Sequence, residues 1–167
     1  MIARSFAFAA FDTTINLLAN GTVLLADNPQ QRQKLIADPQ LMPNAVDEML
    51  RMESPTQMIP RRAREDVELH QTKLSAGDEI LLMIGSANLD ERHFANADNF
   101  DIERELVDHI SFGTGVHTCV GRHLAKMEAS IYFKQLLNRF PDYQIGKRRY
   151  KASGWSRSFA EVEFRCN

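Results

Sequence analysis

The segment Phe112-Gly113-Thr114-Gly115-Val116-His117-Thr118-Cys119-Val120-Gly121 sets one thiol among glycines, directly ahead of a helical pattern. Gly113 and Gly115 permit positive φ in a tight turn, and Gly121 lets a flat ligand approach the backbone closely. A cysteine at a helix start meets free backbone N–H groups and the positive end of the helix, both of which favour thiolate. One thiolate suits an iron cofactor better than zinc, which wants three or four protein ligands. No second cysteine lies nearby, and the scattered histidines lack zinc spacing. The competing reading is a small buried cysteine in a Gly-rich turn.

Three further groups could carry or support chemistry. Glu48 and Arg51 stand three residues apart on a helical pattern, so they share a face and can pair. Asp12 and Thr13, within Ala9-Ala10-Phe11-Asp12-Thr13-Thr14, put a carboxyl beside a hydroxyl in the first helix. Such residues either decorate a helix surface or interrupt its backbone ladder and admit water. Arg61 leads the run to Glu65-Asp66-Val67-Glu68-Leu69, where it is an anion-binding group or part of a surface basic cluster with Arg62 and Arg64.

The elements that must position these groups follow from periodicity. Residues 2–26 form a long Ala- and Leu-rich helical pattern without proline, closed by Asp27-Asn28-Pro29. Pro29 suits the first turn of a second helix running to Ala37. A third helix spans about 43–52, with Val46, Met49 and Leu50 on its apolar face, and Ser54-Pro55 stops it. Strand-like runs cover 62–69 and 79–84 around a turn at Ser75-Ala-Gly-Asp78. Residues 85–118 read as a long irregular stretch, of the kind that is usually functional. A final helix is expected over 119–139, then a tail with strand alternation at Ala160–Arg165. The fold class is mainly α with small β-sheets (α+β), in a single partial domain over 1–167.

Composition narrows the function classes. The chain has 167 residues, 44% hydrophobic and 25% charged, with a formal net charge of −2. These values suit a soluble globular chain and give no basic tract for nucleic acid or a membrane surface. No apolar run approaches the ~18 residues of a membrane span. The opening Met1–Phe11 is cut short by Asp12 and reads as helix rather than leader. Two distant cysteines, Cys119 and Cys166, point to a reduced, cytoplasmic compartment.

The pattern F-G-x-G-x-H-x-C-x-G resembles the haem loop of the cytochrome P450 family, matched at every fixed position, with His two residues before Cys as in soluble bacterial members. That resemblance implies Cys119 as axial ligand of haem b (iron protoporphyrin IX), His117 at a propionate, and Phe112, Gly113 and Gly121 shaping the loop. Glu48-Met-Leu-Arg51 resembles the family's Glu-x-x-Arg pair, whose role is structural. Ala9–Thr14 resembles the A-G-x-D-T-T segment on the oxygen side of the haem, with Ala10 where Gly is commoner; Asp12 and Thr13 would then relay protons. Arg61 would meet a propionate. At Ala97-Asp98-Asn99-Phe100-Asp101, Asn99 holds the place where relatives often carry Arg, so the third member of a Glu–Arg–Arg lock is expected to be missing or replaced.

The implied fold is the C-terminal part of the cytochrome P450 fold, from the oxygen-side helix through the cysteine loop to the last strands. It covers less than half of a complete member. The implied activity is monooxygenation of a small organic substrate with dioxygen, using electrons from a ferredoxin or flavodoxin; Arg122, His123 and Lys126 are either its docking patch or a solvated helix face. The family's N-terminal helices are not in this chain, so weak or no turnover is expected from it alone. The alternatives are a haem-binding or gas-sensing module without turnover, and a non-catalytic remnant.

Overall fold

The computed structural model describes residues 2–105 and 108–166. Helix α1 runs from Ile2 to Asp27, α2 from Pro29 to Ala37, and α3 from Met42 to Met52 after a 3-10 turn at Pro39–Leu41. α4 is a single turn, Ile84–Ala87, and α5 spans Arg122–Arg139. The strands are β1 Ile59–Arg62, β2 Val67–Leu69, β3 Thr72–Leu74, β4 Glu79–Leu82, β5 Gln144–Tyr150 and β6 Phe159–Arg165. They form three antiparallel pairs, β1 with β4, β2 with β3, and β5 with β6. The architecture is helical with small sheets, as expected.

The core lies where α1, α3 and α5 meet. α3 buries Ala45, Val46, Met49 and Leu50, and α5 buries Ala129, Phe133, Leu136 and Leu137. Both sets recur at helical spacing, so each helix turns one stripe inward. α1 packs Leu17 and Leu25 into the same cluster, with Phe100, Ile102 and Tyr143 closing it. Tyr143 donates its hydroxyl to the Thr22 carbonyl at 2.6 Å, tying the start of the β5–β6 hairpin to α1. Gly21 on α1 leaves no room for a side chain. A methyl there would lie 2.4 Å from the Phe133 ring and 2.7 Å from Met49 Sδ.

Several boundaries differ from expectation, each for a physical reason. The 62–69 strand is instead two elements: β1 ends at Arg62, and β2 begins at Val67. Their partners are nested, since Arg62 pairs with Glu79 while Leu69 pairs with Thr72. The expected turn at Ser75–Asp78 is present, closed by Asp78 N–H to Ser75 O at 3.1 Å. A further tight turn joins β2 to β3 at His70-Gln71, both with positive φ (46° and 65°), a hairpin geometry usually supplied by Asn or Gly. α5 begins at Arg122, not at 119. The loop's own bonds, Thr118 N–H to Gly115 O and Cys119 N–H to Phe112 O, hold residues 115–119 out of the helix. α1 runs unbroken through Ala9–Thr14, so of the two readings of that segment the helix-surface one describes its backbone.

Candidate functional site

Cys119 is a free, exposed cysteine three residues ahead of α5. Its amide donates to the Phe112 carbonyl at 2.8 Å, which closes the loop on itself. Gly113 and Gly115 adopt φ of +68° and +63°, the left-handed region that their positions called for. His117 ends a 3-10 turn, Gly115–His117, with its side chain exposed. Phe112 packs partly buried against the core. A Cβ on Gly121 would stand 3.9 Å from Cys119 Sγ, ordinary contact. The expected buried cysteine of the competing reading is not what this loop contains.

The thiol lies on an open part of the surface beside exposed valines. Val116 and Val120, flanking it in sequence, are 98% and 79% exposed. A flat apolar ligand on the sulfur would cover both side chains. Among the described residues no cluster of three His, Cys, Asp or Glu could hold a bare metal ion. One exposed sulfur donor without further ligating side chains among the described residues therefore fits a metal carried in its own macrocycle, and the residues fit haem. Two surface depressions, one edged by Gln57, Met83, Tyr150 and Arg157 and one by Met83, Leu89 and Arg92, are not lined by Cys119.

The other expected site residues are distributed over the fold. Asp12 and Thr13 lie on α1 without a hydrogen bond to each other. Thr13 donates its hydroxyl to Ala9 O at 2.7 Å, and Asp12 accepts from the Asn16 side-chain amide at 3.2 Å. Arg61 is exposed on β1, opposite Ile80, and donates to the Pro60 carbonyl. Among the described residues it makes no hydrogen bond to the cysteine loop. Of the basic patch, Arg122 donates to the His123 ring, while Lys126 is engaged with Asp47 at 2.6 Å and is not a free docking charge.

Glu48 and Arg51 form the pair that their spacing predicted, and both are fully buried. Arg51 donates Nε and Nη2 to the two Glu48 oxygens at 2.8 Å each, and Nη1 to the carbonyls of Asn88 and Ala97. The third member of the lock is replaced, not missing. It is Arg104, whose Nε reaches both Glu48 oxygens at 3.2 Å. Asn99 takes part through its backbone carbonyl, which accepts from Arg51 and from Arg104. Sequence reasoning passed over Arg104, although it is the only Arg or Lys between Arg92 and Arg122.

A second buried polar group went unread. Asn88 donates to the hydroxyls of Ser54 and Ser111 and accepts from the Ile110 amide, and Ser111 donates to Leu50 O. These bonds fasten residues 110–111 to the end of α3, just ahead of the cysteine loop. Beside them, the Asp47 carboxyl loses solvation, which raises its pKa, but hydrogen bonds from His109 and Lys126 outweigh this and hold it below its ordinary value.

The sequence pattern of the cytochrome P450 family matches residues 1–142. The biotin biosynthesis cytochrome P450 of Bacillus subtilis (strain 168) is 42% identical over 139 residues, which is 83% of this chain and 35% of that protein. Putative cytochrome P450 126 of Mycobacterium tuberculosis (strain CDC 1551 / Oshkosh) is 39% identical over 150 residues, 90% of this chain and 35% of the relative. Among solved structures, P450BioI in complex with hexadec-9Z-enoic acid ligated acyl carrier protein superimposes with a TM-score of 0.94 at 39% identity, covering 96% of this chain and 42% of that one. The tirandamycin C-bound P450 monooxygenase TamI gives 0.93 at 37% identity, over 96% and 41%. The chain thus spans less than half of the length of the proteins it matches here. With an exposed cysteine loop, a buried Glu–Arg–Arg lock and this breadth of likeness, the chain belongs to the cytochrome P450 family.

Proposed function

We propose that this chain is the cysteine-bearing part of a haem-thiolate monooxygenase, with Cys119 as the axial ligand of haem b. The observation that carries this reading is the exposed free thiol of Cys119, held by its amide on Phe112 O between two exposed valines. Gly113 and Gly121 keep that loop thin, and His117 and Arg61 are exposed cations or donors suited to propionates. When bound, the haem supplies dioxygen activation and oxygen-atom transfer to a small organic substrate, favoured by an electron-rich thiolate ligand.

The chain's own residues would manage protons and position. Asp12 offers a carboxyl kept in place by Asn16, and Thr13 a hydroxyl that now satisfies Ala9 O and can rotate to a new acceptor. Together they would carry protons along the oxygen-side helix. Electrons would come from a ferredoxin or flavodoxin, with Arg122 as the exposed cation on the cysteine side and His123 beside it. Among the described residues no helix is long and apolar enough to cross a membrane.

The test is the absorption spectrum of the haem-reconstituted protein, reduced under carbon monoxide. A thiolate-type Soret band in the parent and its loss in Cys119→Ser, with Cys166→Ser unchanged, are the expected results. A parent that takes up no haem, or a thiolate band that survives Cys119→Ser, overturns the reading.

A further inference from the structure

The half-buried carboxylate of Asp47 on α3 takes hydrogen bonds from both flanks of the cysteine loop. Lys126, seven residues after Cys119 and on α5, donates Nζ to Oδ2 at 2.6 Å. His109, ten residues before Cys119, meets Oδ1 through Nε2 at 3.3 Å. The ring's other nitrogen, Nδ1, accepts the Ser111 amide at 3.2 Å. That contact fixes the tautomer: Nδ1 presents its lone pair to the amide, so the proton sits on Nε2 and points at Asp47. The His109 side chain is only 6% exposed, and none of the chemistry assigned above uses it.

The contacts continue to the backbone of Cys119. The His109 and Phe112 rings lie 5.9 Å apart between centroids, tilted by 47°. Phe112 O accepts the Cys119 amide. The base of the arrangement is rigid, because Asp47 sits between Val46 and Glu48, both at 0% exposure. One carboxylate on a fixed helix therefore sets the spacing between the two stems of the loop. Charge-assisted bonds in a partly dry site are strong enough for this.

We propose that Asp47, with His109 and Lys126, is a bracket that positions Cys119, fixing the direction in which its sulfur leaves the loop. The proposal rests on Cys119 being the haem ligand for its functional meaning, but its structural consequence can be read without haem. Asp47→Asn removes the charge that draws Lys126 and weakens both bonds, while Lys126→Met cuts one flank at a side chain that is already one-third exposed.

The experiment is amide hydrogen exchange on the full chain, comparing residues 110–120 with residues 17–25 of the α1 core. Asp47→Asn and Lys126→Met are expected to speed exchange of the Cys119 amide at least tenfold and to leave 17–25 unchanged. Lys126→Arg, which keeps the charge and a donor, is expected to stay within about twofold of the parent. In the reduced carbon monoxide complex, the first two variants are expected to shift intensity from the thiolate-type to the thiol-type band. Unchanged exchange at Cys119 overturns the bracket, as does equal acceleration in 17–25, which marks general loss of stability. If the exchange pattern appears but the parent shows no thiolate band, the haem-ligand reading fails and the bracket stands.

Discussion

Arg51 meets Glu48 edge to edge, Nε on Oε2 and Nη2 on Oε1, both at 2.8 Å and with neither side chain exposed. Two parallel charge-assisted bonds of this kind demand a guanidinium, because an ammonium cannot match both oxygens in one plane. The pair also needs its outer partners. Remaining Arg51 donors go to the carbonyls of Asn88, Ala97 and Asn99, and the Glu48 carboxylate takes Arg104 and the Asp101 amide besides.

Removing one side of this lock leaves a buried charge unpaired. Arg51→Ala and Glu48→Ala are each expected to cost about 3–5 kcal/mol of stability, measured from the urea midpoint. Arg104→Ala breaks hydrogen bonds at the rim and is expected to cost about 1.5–3 kcal/mol. An Arg104→Ala protein as stable as the parent shows that Glu48 needs one arginine, not two.

Asp47 makes stability depend on pH. Its carboxyl lies lower in the folded chain than in the unfolded one. A depressed carboxyl contributes stability that is fully present above its unfolded pKa of ~3.9 and is lost as pH falls through the folded pKa. Asp47→Asn removes that contribution. Its destabilisation relative to the parent is expected to be constant near neutrality and to shrink on acidification below about pH 4. Thermal melts at a series of pH values measure this, and a difference that stays flat into strong acid contradicts it.

Gly21 tests the packing of α1. A methyl there meets the Phe133 ring and Met49 Sδ, both side chains of residues at 0% exposure, so neither neighbour has room to withdraw. Although Ala is the better helix former, Gly21→Ala is expected to destabilise by about 1–3 kcal/mol through overpacking. A more stable variant means that α1 can slide over α5, contrary to this packing.

Proton delivery is separable from haem binding. Thr13→Ala and Asp12→Asn leave Cys119 untouched, so the thiolate-type carbon monoxide band is expected to persist. Turnover of a longer, catalytically complete form, with its electron donor supplied, is expected to fall about 10²- to 10⁴-fold if the pair acts in proton transfer. Full activity in both variants removes them from the relay. Asn16→Ala is expected to give a smaller loss, since it only frees the Asp12 carboxyl.

What could be read along the chain was whatever depends on near neighbours. Helices α1, α2, α3 and α5 follow from spacing of apolar residues and from Pro29 and Pro55, because helical bonds close within four residues. Glu48 and Arg51 were legible as a pair for the same reason, and the glycines at 113 and 115 as turn positions because only glycine adopts positive φ without strain.

Contacts between distant residues were decided by packing alone. Arg104 stands out as the lone Arg or Lys of its stretch, but nothing local ties it to Glu48, 56 residues away; folding brings it there because Phe100 and Ile102 bury beside α3. The His70-Gln71 turn is imposed by pairing of β2 with β3 against the residues' own preferences. The Asp47 bracket joins residues 47, 109 and 126, so it exists only once α3 and α5 have docked. Local order is written in short-range sterics and periodicity; the shared carboxylates required a core to bring their partners within reach.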